Sequence, residues 1–382
     1  GTEGQIFTSL TGCTFRIYST IGGAMTHAAA LGTGVDRAFY ICGGTYQEQV
    51  SKTPGISATW DIYGAGAGNA VWQATANAQT LWAVSSMASG SMINLRGMQF
   101  DLVSYTTCKA ISTTNGFGHI ADCRFGTGGT SSVALSIENT LYLDVTDCVF
   151  TGNGIAYAGS SITAQESVFS NNWFNCGTGL YISGNRVKVI GNVFDCSTMD
   201  ITMAVATTEI AITGNEFNKG INTLSVSQNC TLISNNTFRL TGSEIGIDFS
   251  GLSSVSEAYT VIGNTFRGAA STIGIKLDVG MTDGYILGNT FFNFTSGNEF
   301  SDSGGGVSGA HNTSDAGALA DFGSPVGHFS GASTVITPRY NAYLTSGSLD
   351  SWLEGAAITP SAGALTLGTD GDAFHVAAGN FS

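Results

Sequence analysis

The sequence predicts an all-β protein, a right-handed parallel β-helix in which short strands stack coil upon coil. Two observations support this fold class: a short motif ending in Phe recurs along the chain, and the composition is rich in Gly and poor in charge. Of 382 residues, 53 are Gly, 4 are Pro and 10% are charged, against about 25% charged residues in ordinary soluble domains. The polar surface must therefore come from Ser, Thr, Asn and Gln.

The recurring motif is Gly, Asp or Asn, then usually Asn or Cys, then any residue, then Phe. Its nine copies end at Phe100, Phe125, Phe150, Phe174, Phe194, Phe217, Phe238, Phe266 and Phe291. Successive Phe residues are 20 to 28 positions apart, which is the length of one coil in a solenoid. With two further coils before the first motif, the sequence predicts about 11 coils.

Each position of the motif has a physical role. An apolar residue lies five positions before every Phe, as Leu95 does before Phe100, and both are predicted to face the core. The Gly, Asn or Asp between them suits a tight turn because these residues tolerate a positive φ. The Asn two positions before Phe recurs from Asn172 to Asn289. Stacked about 4.8 Å apart, these amides are predicted to hydrogen-bond along a ladder.

The N-terminal part of the chain carries a second pattern. A small-residue helix is predicted after Gly22, then a strand at Ala38–Cys42, then the segment Gly44-Thr45-Tyr46-Gln47-Glu48. This order resembles the opening of pectate lyase-like β-helix proteins, where a helix caps the first coil. The resemblance covers roughly residues 22–295. Pectin methylesterases share the Gly-x-Tyr-x-Glu segment, but their catalytic segments are absent, so we predict a structural role for it here.

Four regions are predicted. Residues 1–36 form an N-terminal segment with the capping helix, and residues 37–300 form the parallel β-helix. Residues 301–317 are rich in Gly and Ser without periodic apolar residues, which indicates a linker. Residues 318–382 are predicted to be a small β-rich unit that caps the last coil or joins subunits.

Charge and cysteine content exclude several function classes. The formal charge is −14 with 13 Lys and Arg, so the basic surface that nucleic-acid binding requires is missing. The apolar stretches are too short to span a bilayer, which needs about 20 apolar residues. The 8 Cys show no metal-ligand spacing, and the five His are scattered, so no metal and no cofactor is expected. Cys123 with Cys148, and Cys176 with Cys196, occupy equivalent positions of adjacent coils and are predicted to be buried.

The candidate catalytic residues are Asp122, Asp144 and Asp147. Asp122 and Asp147 share a motif position in adjacent coils, and paired carboxylates can transfer protons or bind a cation. Arg124 is placed to neutralise the pair. The alternative is that Asp simply replaces Gly or Asn in a solvent-facing turn, which Asp suits.

The candidate carbohydrate-binding residues are Trp173, Trp72 and Trp82, whose flat rings can stack on sugars. Trp173 occupies the variable position before Phe174, where the side chain is predicted to face outward. The alternative for Trp173 is a contact between subunits.

In its low charge and its Gly, Ser, Thr and Asn surface, the chain most resembles phage tailspike and virion spike proteins. The resemblance implies a virion-associated or extracellular spike, fibre or decoration protein. It also implies a homotrimer that contacts other virion proteins and a host surface polysaccharide. The alternative function is a polysaccharide lyase, hydrolase or epimerase acting on an acidic or neutral glycan. A purely structural decoration protein without a ligand is a third hypothesis.

Overall fold

Three parallel sheets wind around a single core. The computed structural model describes residues 5–9, 13–31, 34–84, 87, 90–114, 118–138, 142–159, 166–203, 209–223, 231–249, 255–277, 281–301, 307–315, 317–319, 343–344 and 375–376. Within these residues the chain passes through the first, second and third sheets in turn and then starts the next coil. Strands of successive coils pair in parallel, so each residue lies beside its equivalent one coil away.

The first sheet has 12 strands in the described part of the chain. They are Arg37–Ile41, Thr59–Gly64, Met92–Arg96, His119–Ala121, Leu143–Thr146, Ser167–Ser170, Val187–Ile190, Ala211–Thr213, Thr231–Ser234, Val255–Ile262, Met281–Leu287 and Val307–Ala310.

The second sheet has 13 described strands, of which the last is antiparallel. They are Gly44–Tyr46, Ala70–Gln73, Gln99–Asp101, Arg124–Thr127, Val149–Gly152, Trp173–Asn175, Val193–Phe194, Glu216–Phe217, Thr237–Arg239, Thr265–Arg267, Thr290–Phe292, Thr313–Ser314 and Gly317–Ala318.

The third sheet has 11 described strands. They are Val50–Ser51, Thr80–Val84, Lys109–Thr113, Val133–Ile137, Ile155–Gly159, Thr178–Ile182, Met199–Met203, Ile221–Thr223, Ile245–Asp248, Ile273–Lys276 and Phe300–Ser301.

The Phe residues of the motif form one continuous stack through the core. From Phe100 to Phe291 the ring centroids of neighbouring coils are 4.5 to 5.1 Å apart. The apolar residue five positions before each Phe is also buried, as Leu95 and Ile286 illustrate. Both inward positions predicted from the motif are confirmed.

The turn between the first and second sheets repeats with a left-handed backbone. Its first residue has φ between 51° and 70° in ten coils: Gly97, Asp122, Asp147, Asn171, Gly191, Gly214, Asn235, Gly263, Gly288 and His311. Gly, Asn and Asp dominate the position because other side chains are strained there.

The predicted asparagine ladder is present and continues one coil further, to Asn312. In each step the side-chain amide and the backbone N–H of one Asn both donate to Oδ1 of the next, at 2.8 to 3.0 Å. The amide also donates to a first-sheet carbonyl, such as Val189 O for Asn215. The ladder satisfies buried donors and acceptors that the turn leaves without partners.

The paired cysteines are buried small side chains, as predicted. Cys123, Cys148, Cys176 and Cys196 are at most 3% exposed, and all cysteines that the structure describes in full are free thiols. The hydrogen bond with Cys176, together with burial, raises the pKa of the Cys196 thiol far above its ordinary range. A thiol in this state is a poor nucleophile.

A helix covers the first coil. It spans Ile21–Ala30, with Ile21, Met25 and Ala28 turned to the core. Thr20 caps its N-terminus, and the Glu48 carboxylate accepts from the backbone N–H groups of Ile21 and Gly22 at 2.6 and 2.9 Å. Glu48 thus satisfies donors that a helix end leaves free. Before the helix, Gln5–Ser9 and Cys13–Ile17 form an antiparallel pair.

The solenoid extends beyond the predicted boundary at residue 300. Val307–Ala310 pairs with the first sheet and Thr313–Ser314 with the second, inside the segment 301–317 predicted as a linker. The prediction of a linker is wrong for these residues, because Val307–Ala310 has small residues where the strands of other coils have large apolar ones. Of residues 318–382, the structure describes Ala318, Leu319 and a parallel pair between Tyr343–Leu344 and His375–Val376, and the rest of the predicted C-terminal unit lies outside the described residues. The one described helix is too short to cross a membrane.

Candidate functional site

A column of polar side chains runs up the outward face of the first sheet. Asp61, Asn94, His119 and Asp144 pair side by side in four successive coils. Each stands directly before an inward apolar residue, so strand alternation turns it outward. We call these four residues the polar column.

The members of the polar column are hydrogen-bonded in two pairs. The Asn94 amide donates to Asp61 Oδ1 at 2.8 Å, and His119 Nδ1 lies 3.2 Å from Asp144 Oδ2. Because a carboxylate only accepts, this contact places a proton on Nδ1 and leaves Nε2 of the neutral ring as an acceptor. The His119 side chain is 43% exposed, so Nε2 is within reach of a ligand.

Tyr142 lies against the polar column. Its ring meets the edge of the His119 ring at 5.2 Å between centroids. Burial raises the pKa of the Tyr142 hydroxyl, and the negative charges of Asp144 and Glu166 raise it further. The hydroxyl therefore keeps its proton and can donate it. Nearby, Asn94 Oδ1 is buried without a hydrogen-bond donor among the described residues.

A second outward column lies two residues further along the same strands. Tyr40 and Tyr63 occupy adjacent coils, with rings stacked at 5.4 Å and 18° between planes. Both are exposed, Tyr40 by 72% and Tyr63 by 40%. Arg96 follows Tyr63 in the next coil. The aromatic pair and the polar column thus share the outward face of the first sheet, with Tyr63 two residues after Asp61 and His119 two coils further on.

The three candidate aspartates do not form one cluster. Asp144 belongs to a strand and contacts His119, whereas Asp122 and Asp147 are the left-handed residues of the exposed turn. Asp122 Oδ2 lies 3.1 Å from Arg96 Nε, with both side chains more than half exposed. Arg96 of the preceding coil, and not Arg124, is thus the partner of Asp122. For Asp122 and Asp147 the geometry favours the turn interpretation.

The sequence matches no protein-family model and no curated protein. Solved structures do match. The A-module of the mannuronan C-5 epimerase AlgE6 of Azotobacter vinelandii is 15% identical, with 77% of this chain and 94% of that chain covered and a TM-score of 0.50. The Streptococcus pneumoniae surface adhesin PfbA is 12% identical, with 77% and 86% covered and a TM-score of 0.43. ORF18 of Geobacillus virus E2 is 12% identical, with 73% and 54% covered and a TM-score of 0.34.

This chain is a right-handed parallel β-helix. At 15% identity the likeness to the epimerase module establishes the fold and nothing about the activity. The right-handed winding agrees with the general preference of parallel crossovers. Within the described part of the β-helix, no group of three His, Cys, Asp or Glu side chains is placed to hold a metal ion.

Two of the three tryptophans predicted to bind carbohydrate are core residues of the β-helix. Trp72 and Trp82 are at most 1% exposed. Their indole N–H groups donate to the carbonyls of Glu48 and Lys52 at 2.8 and 3.0 Å. That prediction is wrong for both, because Trp72 takes the position that Phe100 has in the next coil, and Trp82 takes the inward position of Ile111 in the third sheet. Trp173 does face outward, 44% exposed, on the second sheet.

His119 and Tyr142 are candidate site residues that were not predicted from the sequence. A signal for His119 was present: Asn94, His119 and Asp144 are spaced by 25 residues, one coil each, and all precede an inward apolar residue. The predicted register thus placed them in one outward column. Tyr40 and Tyr63 follow the same logic, because each lies one residue after an inward position.

Proposed function

We propose that this protein is an extracellular, virion-associated spike, fibre or decoration protein that binds a surface glycan along the first sheet. The observation that supports this best is the exposed Tyr40–Tyr63 stack beside the polar column. Sugar rings have apolar faces and hydroxyl edges, so they fit an aromatic pair flanked by carboxylate, amide and imidazole groups. The abundant uncharged residues Ser, Thr, Asn and Gly suit the same kind of ligand.

We further propose that the protein is a homotrimer that contacts other virion proteins. The basis of this proposal is the resemblance to spike proteins, which are usually homotrimers: 10% of the residues are charged, and Gly, Ser, Thr and Asn are abundant. Light scattering on the intact chain tests it, with an expected mass three times the 39.3 kDa of one chain.

Replacing Tyr63 by Ala is expected to weaken glycan binding by roughly tenfold, because half of the aromatic pair is lost. The measurement is binding of the intact protein to immobilised polysaccharides, with mannuronan, polygalacturonate, mannan and dextran as probes. Tyr285 supplies the matched control: it is a 39% exposed tyrosine at the far end of the same sheet. Equal binding by wild type and Tyr63→Ala would exclude the Tyr40–Tyr63 stack as the glycan site. An equal loss in Tyr285→Ala would contradict the assignment of binding to this stack, since Tyr285 lies far from it on the same sheet.

A second candidate function is a lyase or epimerase acting on a uronate-containing polysaccharide. The observation that favours it is the oriented His119–Asp144 pair with Tyr142 against the ring. Both reactions begin when a base removes the proton beside the sugar carboxylate, and a second group then donates a proton. His119 Nε2 is suited to the first step and the Tyr142 hydroxyl to the second. A neighbour in fold is a mannuronan C-5 epimerase, which makes mannuronan the first substrate to assay.

If this second function is correct, His119→Ala is expected to reduce turnover of mannuronan or polygalacturonate by about a hundredfold or more, since a positioned base contributes 10²–10⁴. Asp144→Asn is expected to reduce turnover less, because Asp144 orients the His119 ring and does not itself remove the proton from the sugar. Lys188→Ala is the control: Lys188 is exposed in the same outward column two coils away from Asp144. Turnover by His119→Ala at the wild-type rate would exclude the assignment.

A further inference from the structure

A polar cleft opens where the chain enters the third sheet. It has a volume of about 230 Å³ and spans three consecutive coils. Lys219, Ser243, Glu244 and Asp248 contribute polar groups, and Met199 contributes an apolar surface. Pockets that hold drug-sized ligands measure about 300–1,000 Å³, so this cleft fits a ligand the size of a single ring.

Only one oxygen of the Glu244 carboxylate accepts a hydrogen bond from the described residues. Lys219 Nζ donates to Oε1 at 2.7 Å, and the two side chains are 28% and 16% exposed. Oε2 is buried and has no hydrogen-bond donor within the part of the chain that the structure describes. A buried carboxylate oxygen without a donor is costly. A ligand that brings an O–H group to Oε2 would remove this cost.

The rest of the lining matches a sugar. Met199 and Ile245 are half-buried and lie on the wall of the cleft, where they can cover the apolar face of a ring. Asn222 and Asp248 are paired neighbours in the outward column of the third sheet, and both line the cleft. Amide, carboxylate and ammonium groups together can donate to and accept from ring hydroxyls.

We propose that this cleft binds one hydroxylated sugar ring, with a hydroxyl donating to Glu244 Oε2. The site lies on a different sheet from Tyr63 and His119, so it does not depend on the function proposed for the first sheet. If both sites are occupied, one glycan chain or two separate chains contact two faces of the same coils. Each site can then be removed by substitution without affecting the other.

The test is saturation-transfer NMR on the intact protein with glucose, galactose, mannose and N-acetylglucosamine as separate probes. At least one sugar is expected to receive saturation from the wild type. In Glu244→Ala its affinity is expected to fall by more than roughly tenfold, because a hydrogen bond to a charged group is lost. Ser243→Trp, which fills the exposed lip and leaves the Lys219–Glu244 pair intact, is expected to block binding as well.

Two control variants make the result specific. Glu209→Ala removes an exposed glutamate that is also ion-paired, to Arg186 at 2.8 Å, but lies outside the cleft, and it should leave sugar binding unchanged. Tyr63→Ala should leave it unchanged too, which separates this site from the first-sheet face. No saturation transfer to any of the four sugars, or a signal that survives both Glu244→Ala and Ser243→Trp, would overturn the proposal.

Discussion

Replacing Asn215 by Asp is expected to destabilise the protein by about 3–5 kcal/mol at neutral pH, although the side chain keeps its size. In the native ladder the Asn215 amide donates to Val189 O, Thr213 O and Asn236 Oδ1, at 2.9 to 3.1 Å. An aspartate would direct a charged oxygen at these three acceptors in a buried position. An uncompensated buried charge of this kind typically costs 3–5 kcal/mol. Denaturant titration of the intact chain measures the free energy of unfolding.

The expected loss depends on pH in a defined direction. Burial raises the pKa of the introduced carboxyl in the native state, so protonation at acid pH restores a donor and the destabilisation shrinks. Asn175→Asp is the matched control, because Asn175 is exposed on the second sheet and surface substitutions usually stay within about 0.5 kcal/mol. Equal losses in the two variants would show that the ladder contributes no more than a surface amide.

The second large effect is expected at Asp200, whose carboxyl is buried in the third sheet. Oδ2 accepts from the backbone N–H groups of Asn218, Lys219 and Gly220 at 2.5 to 2.9 Å, and Oδ1 accepts from Cys196 at 3.3 Å. Burial raises the pKa of Asp200 from 3.8 to about 6, against the opposing effect of the four donors. The side chain connects the turns of two adjacent coils.

From this pKa we expect the unfolding free energy to fall by up to about 3 kcal/mol as pH rises from about 4 to about 6. In that window the native state still holds the proton, whereas the unfolded state has released it. The contribution is complete below the unfolded pKa of 3.8 and lost above the native value of about 6. Asp200→Asn is expected to remove this part of the pH dependence, measured as the difference between wild type and variant in denaturant titrations across the window.

Asp195→Asn serves as the control for Asp200. Asp195 is exposed, lies five residues earlier and accepts from the Asn218 amide at 2.8 Å. Because its carboxyl is in contact with solvent, the variant should keep the wild-type slope between pH 4 and pH 6. If Asp200→Asn also keeps that slope, Asp200 does not hold a proton in the native state over this range.

The polar column shows which features of the candidate site the predicted strand register can specify. The 25-residue spacing of Asn94, His119 and Asp144 is sufficient to place them in one column. The spacing does not reveal that Asp144 contacts His119, or that Asp122, in the turn after the His119 strand, contacts Arg96. Those pairings depend on side-chain conformation across the coils, which a repeat length does not specify.

The polar cleft was not visible in the sequence at all. Glu244 directly precedes a strand and reads as an ordinary polar residue of a solvated surface. The same holds for Asp200, which lies within a third-sheet strand and does not line the cleft. The structure buries Asp200 completely and leaves one oxygen of Glu244 without a donor. Successive repeats differ in length, from 20 to 28 residues between motif Phe residues, so the repeat pattern alone does not specify which polar groups become buried.

The sequence by itself determined the coil, because the Phe, the apolar residue before it and the Asn recur at equivalent positions and parallel stacking turns each recurrence into a ladder. It therefore specified the core from Phe100 to Phe291, the Asn ladder and the buried cysteines. Only the tertiary structure decided where the repeat is imperfect. Trp72 and Trp82 are buried in the core, and Val307–Ala310 forms a further first-sheet strand from small residues. Glu48 caps the N-terminal helix. The physical reason is that a periodic pattern determines which residues of adjacent coils stack. A side chain that does not recur takes the position that the remaining space and the unsatisfied polar groups around it favour.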